Sequence, residues 1–337
     1  MQYVIWLRAV AALLIVNSHL ENQHLVHYAA VDGLLGNSLF FFLAGLGLVA
    51  SERNSRRGFP DWYGRRLSRI VPSVVLAILV LDYLPHQGWR SWGPFDYLRN
   101  FLAPPGFTFV EQILALYVPF FLVQRLGGRR GNGVILGLSL VVMLLVPAFG
   151  ERAALFHPFH WLYYFQMMLF GAWVAWRDVP VRAVTPRLIG LFLITGLAYG
   201  AVKLATSRPS FAEWYPVLHL MVFPLIFCWV QVFQAEGLAR FVDRQRWLRW
   251  TLGLVGGLTL EIYLVHYAVR DSPIVARLPF PANIAVILIG SVVLAIPLAR
   301  GADWVRAILK VGSKSLTQAS PGFESPKGVK VHLEKGS

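Results

Sequence analysis

Residues Tyr3–Leu20 read YVIWLRAVAALLIVNSHL, a run of apolar side chains interrupted by Arg8 and His19. Its length is close to the roughly 20 residues that an α-helix needs to cross a bilayer. An ionisable group inside such a run costs at least about 2.5–3.5 kcal/mol on the insertion scale and marks a functional candidate. Arg8 and His19 are eleven residues apart, about three helical turns, so they share one helix face and stand about 16 Å apart along the axis. The plainer account is an Arg that snorkels to one interface and a His satisfied at the other. Spacing alone leaves both accounts open.

The rest of the chain matches this opening. Its 337 residues are 56% hydrophobic and only 14% charged, with a mean hydropathy of +0.56. A soluble domain carries roughly 25% charged residues, so this chain lacks the polar surface to cover a globule in water. Disordered, coiled-coil and secreted disulfide-scaffold classes are excluded, and the single Cys228 leaves no intrachain disulfide. Apolar windows fall near 4–20, 33–50, 70–85, 108–124, 132–149, 159–176, 187–206, 215–234, 251–269 and 282–299. They predict an all-α membrane protein, a bundle of about ten transmembrane helices, with both termini cytoplasmic. Residues 1–312 form the membrane domain. From residue 313, an aperiodic Ser-, Gly-, Pro- and Lys-containing segment reads as a mobile cytoplasmic tail.

The formal charge of +14 would suggest nucleic acid in a soluble protein. Here the topology absorbs it. With both ends inside, 24 Lys and Arg residues fall in inner segments and seven in outer ones, as the positive-inside rule requires. No nucleic-acid partner is implied. Arg8 within the apolar run, with no small-residue cleavage site after it, argues against a cleavable signal. No internal repeat and no second soluble domain is evident.

This topology predicts one polar layer in the outer half of the bundle. GNSLFFF contributes Asn37 and Ser38, FVEQILALYVP contributes Glu111, and LTLEIYLVHY contributes Glu261 and His266. His157, His160, Tyr163, Tyr164 and Gln166 open the sixth window, and His19 with Glu21 lies at the same depth. Interfacial belts account for some of these aromatic and His residues, but two carboxylates within spans are harder to explain that way. On the inner side, FPDWYGRRLSRIVPS carries Arg65, Arg66 and Arg69, with Arg66 and Arg69 on one helical face. Positive-inside charge explains such a cluster; so does a phosphate clamp, since guanidinium forks bind phosphate oxygens bidentately. No spacing of His and carboxylates suits a metal.

At these residues the chain resembles acyltransferase family 3, the integral-membrane O-acyltransferases that acetylate bacterial surface polysaccharides and related molecules. LRAVAALLIVNSHL is similar to the family's opening span, with Arg8 and His19 in the places of its Arg or Lys and its His. GNSLFFFLAG resembles its Phe-rich second span. YGRRLSRIVP resembles its Arg-x-x-Arg element (Arg66, Arg69, Ile70, Pro72), VEQILALYVP its fourth-span element (Val110, Glu111, Pro119), and LTLEIYLVH its late span (Tyr263, Leu264, His266). Three positions depart: Ala44 replaces a Ser, Gln112 follows Glu111 where a second acid is common, and Leu114 replaces an aromatic.

The resemblance implies an acyl-CoA donor, most often acetyl-CoA, used as a substrate with no permanently bound cofactor. It implies a carbohydrate acceptor, lipid-linked or exported, and a bacterial inner-membrane location among membrane lipids. His19 becomes the general base, or the carrier of a transient acyl group. Arg8 is essential, holding a phosphate or neutralising a buried carboxylate; Glu111 or Glu261 would fix the tautomer of His19, and His266 joins the catalytic set. Arg66 and Arg69, with Arg65 beside them, become the donor-phosphate site; Asn37, Ser38 and Tyr164 would face the acceptor. A transporter or flippase with polar groups at midplane is the rival class.

Overall fold

The apolar windows become helices in the computed structural model, which describes residues 2–25, 30, 33–52, 57–83, 93–96, 107–145, 157–177, 185–206 and 215–308. The tail predicted from residue 313 lies outside the described residues. In chain order the helices are α1 (Gln2–Ser18), α2 (Gly33–Glu52), α3 (Phe59–Ala77, continued by a π-helical turn Ile78–Tyr83) and α4 (Thr108–Leu145). Then follow α5 (His157–Arg177), α6 (Pro186–Thr206), α7 (Tyr215–Gln234), α8 (Glu236–Arg244), α9 (Arg246–Gly257), α10 (Thr259–Arg270), α11 (Pro273–Ala276) and α12 (Ala282–Ile308). No strand occurs among the described residues.

The described residues of each predicted window are largely helical, but the helices are not ten equal rods. Five are long and apolar enough to cross a membrane by length and composition: α2, α4, α6, α7 and α12. α9 and α10 together meet the same measure of length and composition, as a broken span or a re-entrant loop bent by 82° at Leu258. α1 is apolar but only 17 residues long. The 38-residue α4 covers two windows and is broken at Gly128, whose φ of 50° and ψ of −142° no helix contains. A positive φ of this kind costs Gly little and other residues more. Across the break, Gln124 Nε2 donates to Asn132 Oδ1 at 2.6 Å; eight helical residues would separate the two Cα atoms by about 12 Å, so the chain turns back here.

Outward-facing apolar side chains show what surrounds the bundle. On α6, Ile189, Leu191, Leu193, Ile194, Leu197 and Leu204 are all exposed, and on α12 so are Ile289, Val293 and Leu294. Such continuous apolar faces belong against lipid rather than water. This is an all-α, multi-pass membrane architecture.

At its centre α2 packs most extensively on α5. The approach is set by glycine: a Cβ on Gly45 would lie 1.9 Å from the Met168 carbonyl oxygen, and one on Gly171 would lie 1.9 Å from that of Phe42. Close backbone contact through small residues is a main source of helix association in membranes. Phe41 stacks on Tyr164 with ring centres 4.6 Å apart, so the same interface carries a face of the candidate site. α5 is tied to both arms of α4 by polar bonds: Trp176 Nε1 donates to Gln124 at 3.0 Å, Asn132 to the Leu169 carbonyl at 2.9 Å, and Gln166 to that of Ser139 at 2.8 Å.

The two described chain ends meet one end of the bundle. Gln2 donates to Asp243 of α8 at 3.3 Å, and Arg306, near the end of α12, donates to the Arg69 carbonyl at 3.1 Å. Arg69 in turn interacts electrostatically with Arg8 of α1. His19 lies at the opposite end of α1.

Candidate active site

α1 stops at Ser18, one residue short of the predicted base. The Ser18 hydroxyl donates to the Ile15 carbonyl at 2.7 Å, Asn17 Oδ1 bonds His24 Nε2 at 2.9 Å, and the His19 N–H turns in to the Val16 carbonyl at 3.0 Å. Polar side chains at a helix end compete for backbone groups in this way, and here they tighten the chain just where the imidazole projects.

His19 lines a cavity of about 440 Å³ with Asn37, Thr108, Phe109, Glu111, Gln112, His160, Trp161, Tyr164, Tyr263 and Tyr267. The loop after α1 and the helices α2, α4, α5 and α10 all contribute. Predicted residues His19, Asn37, Glu111 and Tyr164 therefore meet in one place. Asn37 Nδ2 donates to the Tyr164 hydroxyl at 3.3 Å.

Among the described residues no carboxylate holds the imidazole. His19 Nδ1 lies 3.1 Å from the Tyr267 hydroxyl. His266 stacks on His19 at 5.0 Å with the rings 12° from parallel, and donates from its own Nδ1 to the Tyr263 carbonyl at 2.6 Å. Arg270 donates to the His19 carbonyl at 3.4 Å, and its guanidinium lies 4.7 Å from the centre of the Tyr267 ring.

Several predicted residues stand elsewhere. Glu261 accepts from Ser73 of α3 at 2.7 Å and is outside the lining of the His19 cavity. It sits in the first turn of α10, right after the bend, and so reaches α3 rather than α1. Ser38 is fully buried, bonded to the Leu34 carbonyl and, at 2.8 Å, to the Tyr163 hydroxyl, also outside that lining. His266 is fully buried and touches the site through His19. The side chain of His157 lies outside the described residues.

Arg66 marks the opposite end of α2. It donates to Glu52 at 3.3 Å and to the Trp62 carbonyl at 2.9 Å, with its guanidinium 4.4 Å from the centre of the Trp62 ring. Glu52 also accepts from Arg57 at 2.7 Å. Arg65 and Arg69 are exposed, and Arg8 is half-buried. The charges of Arg8, Arg66 and Arg69 all act on the buried Tyr117 hydroxyl. Beside this cluster a second cavity of about 490 Å³ is lined by Glu52, Arg57, Trp62, Phe121, Arg125 and Trp176, among others. Both cavities are built on α2, α4 and α5, at opposite ends of these helices.

The acyltransferase domain model of acyltransferase family 3 matches residues 1–300. The chain belongs to acyltransferase family 3. The match takes in both cavities and every helix up to most of α12, and the protein is accordingly an acyltransferase. Neither the curated proteins nor the solved structures yield a match.

Family membership gives the geometry its sense. Of the opening-span pair, His19 lines the first cavity, and Arg8 lies at the other end of the same helix, near Gly47 of α2. The second-span Gly45, beside the departing Ala44, is one of the two glycines that let α2 meet α5.

Sequence reading missed Tyr267 and Arg270. Their signal is present: Tyr263, His266, Tyr267 and Arg270 follow the i, i+3, i+4, i+7 spacing of one helix face.

Proposed function

We propose that this protein is an O-acyltransferase of the bacterial cytoplasmic membrane that moves an acetyl group from acetyl-CoA to a hydroxyl of a lipid-linked or exported polysaccharide. The carrying observation is His19 in a polar cavity at one end of α1, with Arg8 toward a cationic cluster at the other. The chain passes the membrane ten times with both termini in the cytoplasm, a reading supported by the basic inner segments and by Gln2 and Arg306 meeting the same end of the bundle.

In this reading the cytoplasmic donor approaches from the Arg66 end. Arg66 and Arg69 take its phosphates, and the adjoining cavity with Arg57, Arg125, Trp62 and Trp176 receives the rest of its nucleotide. Guanidinium groups suit phosphate oxygens, and the charges of Arg8, Arg66 and Arg69 gather around Tyr117. The pantetheine arm then runs along α1, where Arg8 and His19 are about 16 Å apart. At His19 the thioester meets the acceptor, which enters the outer cavity past Asn37, Trp161 and Tyr164. The base takes the acceptor proton, the oxygen attacks the thioester carbonyl, and the thiolate leaves. Glu111 lines the same cavity and in this reading serves the acceptor.

Purified protein in nanodiscs, given acetyl-CoA and a lipid-linked glycan extract, tests the reading. Free thiol should appear only when the extract is present, with acetyl groups on the glycan. Uptake of either compound into sealed liposomes carrying the protein, without thiol release, would make the protein a transporter.

A further inference from the structure

An imidazole can exchange protons through two nitrogens, and here the two are treated differently. His19 Nε2 is buried and meets no hydrogen-bond partner among the described residues, whereas Nδ1 is 3.1 Å from the Tyr267 hydroxyl. The stacked neighbour His266 is fully buried, with its Nδ1 on the Tyr263 carbonyl, so it opens no path to the cavity. Tyr267 does open one, since it lines the cavity beside Glu111, Asn37 and Tyr164. Its position is braced. Arg270 lies against its ring, is held by Asp271 through two bonds of 2.7 and 2.9 Å, and reaches the His19 carbonyl at 3.4 Å. One guanidinium thus fixes both members of the His19–Tyr267 pair.

We propose that Tyr267 is a catalytic residue that carries the proton between the acceptor hydroxyl and His19 Nδ1. The proposal rests on the acyl-transfer reading above and deepens it. The acceptor O–H donates to the Tyr267 oxygen while the Tyr267 O–H donates to Nδ1. As the acceptor oxygen bonds to the thioester carbonyl carbon, its proton passes to Tyr267 and the Tyr267 proton passes to Nδ1. Collapse of the tetrahedral intermediate breaks the C–S bond, and the proton on His19 returns through Tyr267 to the departing thiolate. The products are the O-acyl ester and free thiol, with His19 and Tyr267 restored. The route uses the tautomer whose own proton is on Nε2. It needs no carboxylate on the imidazole, in keeping with Glu261 being bonded to Ser73.

Tyr267→Phe removes one oxygen and keeps the ring under Arg270. Acetyl-CoA, glycan extract and nanodisc-embedded wild type, Tyr267→Phe, His19→Ala and the double variant are compared by thiol release. The relay predicts that Tyr267→Phe lowers kcat about 10²-fold, with KM for acetyl-CoA within about twofold and the melting temperature unchanged. It also predicts that the double variant is no slower than His19→Ala, because both substitutions cut one path. Tyr267→Phe within about threefold of wild type, or a double variant whose loss is the product of the single losses, overturns the relay while leaving His19 as base. Full activity of His19→Ala overturns the placement of the chemistry at His19, and with it the relay; no acceptor-dependent thiol release from the wild type overturns the acyl-transfer reading itself.

Discussion

Arg66 donates to Glu52 at 3.3 Å while its guanidinium lies 4.4 Å from the centre of the Trp62 ring, so the cation is oriented before any ligand arrives. A preoriented fork loses less freedom on binding phosphate than a free one. Arg66→Ala should raise KM for acetyl-CoA about tenfold, the loss of one charge-assisted contact, and leave kcat within about twofold. Steady-state thiol release over a range of acetyl-CoA concentrations measures both. A loss confined to kcat would remove Arg66 from the donor site.

The α2–α5 contact gives a prediction about folding. Gly45→Ala and Gly171→Ala each place a methyl carbon 1.9 Å from a backbone carbonyl oxygen, where no flexible side chain can give way. The helices must separate, at a cost at or above the upper end of the roughly 1–3 kcal/mol typical of overpacking. Detergent-solubilised variants should melt well below wild type or aggregate on size exclusion. Gly190→Ala, on α6 with nothing near its Cβ position, should melt like wild type.

Topology is tested with the chain's single cysteine removed. Cys228 is buried, and Cys228→Ser gives a background for Gln245→Cys, exposed between α8 and α9, and Arg277→Cys, exposed after α11. The broken pair α9–α10 separates the two sites. A membrane-impermeant maleimide added to intact cells with a permeable outer envelope should label position 277 and reach position 245 only after the inner membrane is opened. Labelling of both from one side would overturn the ten-span arrangement.

The residues that converge as expected are those whose placement depends on depth alone. Asn37, Glu111, Tyr164 and His19 lie near ends of long apolar windows, and a helix rises by a fixed amount per residue, so their common level was legible. Glu261 was misplaced because its azimuth depends on the 82° bend at Leu258, which the apolar run LVGGLTLEIYL does not announce. Ser38 shares the depth of Asn37 but is the next residue on the helix, turned about 100° into the α5 contact. Tyr267 meets His19 across 248 residues of chain; only the polar face of α10 hints at it, and nothing local to His19 does. The division of α4 was legible in its two windows, while the turn itself rests on one residue, Gly128.

The central claim is that acyl transfer takes place at His19. Purified wild type and His19→Ala, each in nanodiscs with acetyl-CoA and lipid-linked glycan extract, should differ in acceptor-dependent thiol release by about 10²–10⁴-fold, the range of a lost general base, at equal acetyl-CoA binding. Equal rates of acceptor-dependent release in the two proteins would contradict the claim and move the chemistry away from His19.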